Sequence, residues 1–233
     1  MIEKINLNNI LFLDIETVPE YHNYRGLDNE TQQLWEQKTQ YQRKDEVSAE
    51  DFYERAGIWA EFGKIITISV GYFVNKADIR NFRVTSFWGD EKKILNDFSN
   101  LLNTHFNGAQ HVLCGHNAKE FDIPFIARRM IINGIALPNK LNLFGKKPWE
   151  VPHLDTLELW KFGDYKHFTS LKLLTKVLGI PSPKDDIDGS EVAHVFYVEN
   201  DIDRIITKKK KDVIAVAQIF LRLRREDLLF EDE

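Results

Sequence analysis

The stretch ILFLDIET, residues 10–17, is an apolar run followed by two acidic residues. Four consecutive large apolar residues predict a strand that is buried on both faces. Because residues i and i+2 of a strand face the same side, Asp14 and Glu16 should project together while Ile15 points away. Most Asp-x-Glu pairs are solvated strand ends, but two carboxylates at the end of a buried strand repel each other unless a cation lies between them. Oxygen ligands of this kind suit Mg²⁺ or Mn²⁺.

The segments that follow predict the neighbours of this strand. Residues 64–74 are apolar and β-branched, and residues 78–88 alternate, which together predict a hairpin with a turn around Asn75. The polar, helix-prone residues 20–62 predict a helical insertion rather than a separate domain.

Farther along the chain, helical and strand patterns alternate. Apolar spacing and stop signals predict helices at about 90–106, 121–130, 169–178 and 201–225, and short strands at 111–115 and 153–156. Strands joined by helices, next to an antiparallel hairpin, predict an α/β fold with a mixed five-stranded sheet flanked by helices. Since no linker is recognisable, we expect one domain over residues 1–233.

A second acidic candidate lies between a predicted strand and a predicted helix. Asp122 stands near the helix start with Pro124 two residues on, so a simple N-terminal cap is as good a reading as a metal ligand. Asn117 and Phe121 lie in the same turn. Aromatic residues there can stack on a nucleotide base, although they more often pack in the core.

The third candidate, Asp212, begins the apolar stripe of the last helix. The stripe comprises Val213, Val216, Ala217, Phe220 and Leu221. A helix with this pattern packs on the sheet. A charge at the start of the packed part either faces water at the rim or requires a partner or a metal.

Composition limits the classes of protein. Lys and Arg number 31 against 36 Asp and Glu, giving a net charge of −5, so binding to a polyanion would need a local basic patch or bound cations. The single cysteine, Cys114, excludes an intramolecular disulfide and a cysteine-based zinc site. The sequence has no apolar window long enough for a membrane span, and residues 1–9 lack the apolar core of a secretory signal. We therefore expect a cytoplasmic protein with no membrane partner.

Three motifs in this order resemble the DEDD superfamily of 3′–5′ exonucleases, most closely the branch related to the proofreading domain of family B DNA polymerases. They are Leu-Phe-Leu-Asp14-Ile-Glu16-Thr17, Gly115-His-Asn117-x3-Phe121-Asp122-x-Pro124 and Asp212-Val213. Two further stretches, His153-Leu-Asp155-Thr and Lys184-x3-Asp188-Gly189, are also similar to that branch. The resemblance covers nearly the whole chain.

The resemblance implies a ribonuclease-H-like fold and two divalent ions, Mg²⁺ or Mn²⁺. The implied ligands and catalytic acids are Asp14, Glu16, Asp122 and Asp212. The implied reaction is in-line hydrolysis at single-stranded 3′ ends, with DNA favoured and mononucleotides released. Thr17, Asn117 and Phe121 are the implied contacts to the 3′ end of the strand. A polymerase or repair protein acting in trans is the expected protein partner.

The sequence departs from this family four residues before the last aspartate. Members carry Tyr four residues before it or His five before, to orient or deprotonate the attacking water, whereas here those positions hold Lys208 and Thr207. A protonated lysine cannot accept a proton. One helical turn from Asp212, Lys208 could compete with a metal, hold the phosphate as a fixed charge, or point to solvent with its lysine neighbours. The competing role is favoured, and it leaves a catalytically impaired nucleic-acid-binding module as the alternative function.

A second aspartate also fits the spacing of the third motif. Tyr197-x3-Asp201 has the Tyr form, but residues 202–211 lack the apolar stripe that follows Asp212. Asp212 is therefore the expected ligand.

Overall fold

The central sheet contains five strands and places the motif of residues 10–17 near its middle. The computed structural model describes residues 2–43, 47–76, 79–164, 166–181 and 187–229. The strands are β1 (Ile10–Pro19), β2 (Gly63–Lys76), β3 (Ile79–Trp88), β4 (Val112–Gly115) and β5 (Leu154–Asp155). Their order is β3-β2-β1-β4-β5, with β1–β2 and β2–β3 antiparallel and β1–β4 and β4–β5 parallel. The predicted mixed α/β sheet is confirmed.

Helices cover the sheet and connect its strands. They are α1 (Asn29–Thr39), α2 (Ala49–Phe52), α3 (Glu91–His105), α4 (Asp122–Ile132), α5 (Thr156–Lys161), α6 (Leu171–Val177), α7 (Val192–His194) and α8 (Ile202–Leu223). A π-helical turn, Val195–Glu199, follows α7. Short 3-10 turns lie at Ile2–Lys4, Leu7–Asn9, Tyr24–Gly26, Tyr53–Ile58 and Pro148–Glu150.

The two faces of β1 belong to different layers of the core. Leu11, Leu13 and Ile15 belong to the hydrophobic cluster that includes residues of α3 and α4, whereas Ile10 and Phe12 pack with the apolar stripe of α8. All five side chains are buried, and each contributes roughly 1.5–3 kcal/mol to stability by leaving water. The alternation therefore directs the even-numbered positions of β1, Asp14 and Glu16 included, toward α8.

The insertion between β1 and β2 is helical, as predicted, and has a small core of its own. Trp35 of α1 is fully buried among Phe52, Tyr53 and Phe62. Its indole N–H donates to the Ala49 carbonyl, 2.8 Å away. The aromatic side chains of this segment therefore pack against one another, while the main sheet retains its separate core.

Two predictions about local structure were wrong. Asn75 is not in a turn, since it pairs with Arg80 inside the β2–β3 ladder, and the residues between these strands, 77–78, lie outside the described part. The first turns of α8 do carry buried apolar residues. Ile205 and Ile206 pack against Val18 and Ile66, a contact that the polar appearance of residues 202–211 concealed.

A helix that crosses a membrane must be both long and apolar. Within the described residues, none is long and apolar enough to cross a membrane.

Candidate active site

Asp14 and Glu16 lie at one edge of the sheet, where β1 approaches the turn that follows β4. Because β1 and β4 are parallel, their carboxyl ends meet at the same edge. The ladder between β1 and β2 shifts register between Glu16 and Thr17. Such irregularities in a strand re-aim the side chains next to them.

The turn after β4 is held close to β1 and β5. A Cβ at Gly115 would collide with the Ala118 side chain and lie 3.0 Å from the Leu13 carbonyl oxygen, so only glycine allows this approach. Asn117 adopts a left-handed φ of 63°, a conformation that asparagine tolerates better than most residues. The buried Asp155 carboxylate accepts hydrogen bonds from the amides of Asn117, at 2.9 Å, and Lys119, at 3.0 Å.

Asp122 is a buried residue of α4 that contacts β1. The N-cap position is occupied by Phe121, which makes no side-chain cap, so the capping interpretation of Asp122 is wrong. Instead, the Ile15 amide donates to Asp122 Oδ1 at 3.0 Å. Burial raises the pKa of Asp122 well above its usual value, and the negative charge of Asp14 raises it further.

Asp212 lies on α8, and two lysines of the same helix turn toward the same carboxylates. The Lys209 ammonium group donates to Asp14 Oδ2 at 2.7 Å and lies 3.1 Å from Asp212 Oδ2 and 3.5 Å from Glu16 Oε1. Lys208 is slightly farther away, with its Nζ 3.5 Å from Glu16 Oε1 and 3.7 Å from Asp212 Oδ2. Asp14, Glu16, Asp122 and Asp212 are called the carboxylate cluster below.

The charges in the cluster act on one another. Burial raises the pKa of Asp14 to about 6; Asp212 and Glu16 raise it as well, and Lys209 opposes them. Burial alone would lower the pKa of Lys209, but Asp14, Glu16 and Asp212 outweigh it and raise the pKa well above its usual value. Lys209 is therefore a charged ammonium group in the middle of the acids.

The donor atoms of the carboxylate cluster are those that Mg²⁺ and Mn²⁺ prefer. All are carboxylate oxygens, and Glu16 Oε1 is buried without a hydrogen-bond partner. The present arrangement nevertheless contains no group of three or more His, Cys, Asp or Glu side chains, among those described, that is placed to hold a metal ion. Lys209 lies close to three of the four acids, so a metal that binds there must contend with its charge.

The predicted contacts to a nucleic-acid strand lie around this edge. Thr17 follows the register shift in β1 and is half-buried. Asn117 lies in the turn after β4. Phe121 is also half-buried, packing on the core with its ring centroid 5.4 Å from that of Phe125. Its partial exposure leaves room for both the core-packing and the stacking interpretation.

A cleft of ≈ 450 Å³ borders the carboxylate cluster on the side of α6 and α8. Asp14 and Asp212 line it, together with the basic residues Lys172, Lys208 and Lys211. With Lys209 on the basic side and Asp188 and Glu191 on the acidic side, the lining has four lysines and four acids, so its formal charge is zero whereas that of the whole chain is −5. Asp188 and Gly189 lie on the same wall, whereas Lys184 lies outside the described residues.

Tyr197 and Asp201, the alternative third motif, make other contacts. The Tyr197 hydroxyl donates to the Pro19 carbonyl at 2.6 Å. Asp201 is the N-cap of α8, accepting from the Arg204 amide at 3.0 Å. Both residues therefore have local structural roles.

Two residues of the site were not predicted as contacts within it. Lys209 is one of the lysine neighbours of Lys208, for which the sequence allows a solvated helix face or contact with phosphates, yet it is buried and nearer to Asp212 than Lys208 is. The i to i+3 spacing between Lys209 and Asp212 is the signal that would have found it. Asp155 was noted only for its resemblance to a family stretch. Asp155 orders the turn of Asn117 through a hydrogen bond between residues that lie 38 positions apart in the sequence.

Comparison with protein-family models gives one match, which covers most of the chain. Residues 58–231 match the model of a family described as predicted 3′–5′ exonucleases related to the exonuclease domain of PolB. The matched part contains Asp122 and Asp212, whereas Asp14 and Glu16 precede it. A search of curated proteins finds no match.

Solved structures show the same fold. The family B DNA polymerase from the hyperthermophilic archaeon Pyrobaculum calidifontis superposes with a TM-score of 0.55 at 15% sequence identity. The superposition covers 91% of this chain and 24% of the polymerase chain, so this chain spans about a quarter of that protein. The mixed sheet with its flanking helices is ribonuclease-H-like and similar to the exonuclease domain of that polymerase family.

Proposed function

The chain belongs to the family of predicted 3′–5′ exonucleases related to the exonuclease domain of PolB, and on that premise we propose that it hydrolyses phosphodiester bonds at single-stranded 3′ ends with the help of divalent metal. The observation that carries the proposal is the carboxylate cluster. Three separate parts of the chain, β1, α4 and α8, bring four acids together at one edge of the sheet.

The carboxylate cluster would hold Mg²⁺ or Mn²⁺, through Asp14, Glu16, Asp122 and Asp212. Bound there, a divalent ion would favour deprotonation of the attacking water and stabilise negative charge on the phosphate and the leaving 3′ oxygen. Asp122 is held in place by the Ile15 amide, which donates to one of its two carboxylate oxygens. Acids that are buried and close together, with pKa values raised as for Asp14 and Asp122, are typical of functional sites.

The residues around the cluster are suited to an unpaired strand. We propose that Thr17, Asn117 and Phe121 hold the terminal nucleotides, with Phe121 offering its exposed part as a stacking surface. The lysines of the cleft would bind the phosphates of the strand, which explains how an acidic protein attracts a polyanion. DNA is the favoured substrate, mononucleotides are the products, and a polymerase or repair protein acting in trans is the proposed partner.

One observation favours a second function. Neither Lys208 nor Lys209 can serve as a base while protonated, and both lie within ion-pair distance of the acids. A chain with this arrangement could retain the fold and bind single strands without cutting them. The four acids favour the nuclease, because a site that had stopped using metal would have no need to keep four carboxylates together.

Digestion of end-labelled strands separates the two functions. We expect a 5′-labelled single strand to shorten one nucleotide at a time in the presence of Mn²⁺, and more slowly with Mg²⁺. DNA and RNA strands of the same sequence, assayed in parallel, test the preferred substrate. Binding of the strand without any shortening at either metal would establish the module instead.

A further inference from the structure

Lys209 is fixed in the carboxylate cluster by the packing of its own helix. Ile205 and Val213, one turn to either side of it on α8, are both fully buried, so the face that carries Lys209 is held against the sheet. Only 8% of the Lys209 side chain is exposed. Its ammonium group is therefore a positioned charge, unlike that of a surface lysine that samples many rotamers.

The contacts of this ammonium group resemble those of a bound cation. It lies 2.7 Å from Asp14 and 3.5 Å from Glu16, both on β1, and 3.1 Å from Asp212 on α8. Asp122 is not among these partners, since it accepts from the Ile15 amide. Three carboxylates thus share one fixed positive charge within ion-pair distance, whereas Asp122 feels that charge only from farther away.

Charge balance limits how many divalent ions can join them. Four ionised carboxylates carry a formal charge of −4, which two divalent ions would neutralise. The ammonium groups of Lys208 and Lys209 supply +2, which leaves −2 and room for one divalent ion. A second ion would bring the site to a formal +2, which is costly at the low effective dielectric there, whereas without Lys209 the same two ions would bring it to only +1.

We propose that the Lys209 ammonium group replaces one of the two divalent ions, so that the carboxylate cluster binds a single metal ion together with a built-in lysine cation. This inference rests on the proposed function, because it assigns the metal content of the same site. In that role Lys209 is a fixed positive charge beside the position of the scissile phosphate, where it stabilises charge without accepting a proton.

Metal stoichiometry tests the proposal without any measure of nuclease activity. Mn²⁺ binding to the full chain is followed by electron paramagnetic resonance of the free ion, for the wild type, Lys209→Met and Lys210→Met. Lys210 is the matched control, because it is the next residue of α8 and makes no ion pair with any residue that the structure describes. We expect one bound Mn²⁺ for the wild type and for Lys210→Met, and two for Lys209→Met. The affinity for the first ion should rise by at least about tenfold in Lys209→Met when the like charge is removed.

Thermal unfolding in a chelator gives a second readout. Lys209→Met should unfold at a lower temperature than the wild type, since its acids lose their internal cation, and saturating Mn²⁺ should restore more of the loss than it does for Lys210→Met. If Lys209→Met does not fold without metal, the number of Mn²⁺ ions that the wild type binds decides the test by itself. One ion supports the proposal, and none or two overturns it. Equal stoichiometry and affinity in the wild type and Lys209→Met would also overturn it.

The metal stoichiometry and the nuclease activity can fail independently of each other. A wild type that shortens labelled strands but binds two Mn²⁺ would support the nuclease function and overturn the proposed role of Lys209. One Mn²⁺ bound by the wild type and two by Lys209→Met, with no strand cut by the wild type, would support the role of Lys209 and overturn the nuclease function.

Discussion

The Asp122 carboxylate accepts a hydrogen bond from the Ile15 amide across 107 residues of sequence, at 3.0 Å. This bond joins the start of α4 to the segment of β1 between Asp14 and Glu16, and so holds two parts of the carboxylate cluster together. Asp122→Asn keeps an oxygen that can accept from the same amide, whereas it removes the charge. The fold and the chemistry of this residue can therefore be separated experimentally.

The four acids should act as a unit in catalysis. Asp14→Asn, Glu16→Gln, Asp122→Asn or Asp212→Asn is each expected to abolish most nuclease activity, because each removes a charged ligand of the same metal site. In a chelator at pH 7, Asp122→Asn should be at least as stable as the wild type, since burial disfavours the charged form of Asp122, which the amide does not have. Urea unfolding measures the stability, and a large loss for Asp122→Asn would contradict this account.

Asp201 should be dispensable for catalysis. Asp201→Asn keeps the capping oxygen of α8 and is expected to retain wild-type activity, whereas Asp212→Asn is not. Asp201→Ala should cost about 1 kcal/mol of stability through the lost cap, again without loss of turnover at a temperature where it is folded. Activity assays of the three variants check this. An inactive Asp201→Asn beside an active Asp212→Asn would exchange the roles of the two aspartates.

Phe121 should contribute to strand binding through its exposed part. Phe121→Ala is expected to weaken binding of a short single strand by about 1–3 kcal/mol, the usual contribution of a base-stacking contact. Fluorescence anisotropy in Ca²⁺ or chelator measures the affinity without cutting. Phe144→Ala is the control, because it removes the same ring from a surface position that is 74% exposed. Equal affinities for the two variants would return Phe121 to a packing role only.

Lys208 is expected to limit the rate. Its Nζ lies 3.5 Å from Glu16 and 3.7 Å from Asp212, so a tyrosine at this position would bring a hydroxyl group near the same acids. Lys208→Tyr should raise the single-turnover rate by up to about 10²-fold, the scale of one general acid–base contribution. A Lys208→Tyr protein slower than the wild type would make the lysine itself a catalytic group.

His153 should make stability depend on pH. Burial lowers the pKa of His153 to about 4, from 6.5, and outweighs the hydrogen bond with the Lys140 carbonyl, which raises it. The unfolded chain takes up a proton below pH 6.5 and the folded chain only near 4, so stability present above pH 6.5 is lost between these values, on the order of 3 kcal/mol. His153→Asn should lose clearly less stability than the wild type between pH 7 and 4.5 in urea unfolding. Parallel losses in the two proteins would contradict the assignment.

Much of the fold of this protein can be predicted from short-range patterns of apolar and polar residues in its sequence. The apolar run of β1, the alternation of β3 and the stripe of α8 each specify an element, because burial of one face is a local requirement on spacing. The same alternation places Asp14 and Glu16 on one side of β1, and the i to i+4 spacing places Lys208 beside Asp212. These features need no knowledge of distant contacts.

The tertiary structure decided which groups meet across the chain. From the sequence, Asp122 could equally be a helix cap or a metal ligand, and only the structure shows that it accepts from the Ile15 amide. Likewise, only the packing of α8 against the sheet shows that Lys209 is buried beside Asp14 of β1, 195 residues away. Burial sets whether a charge is screened by water or must find a partner. That depends on which elements pack together, so the local spacing that places Lys209 beside Asp212 could not show that the acids of β1 also surround it.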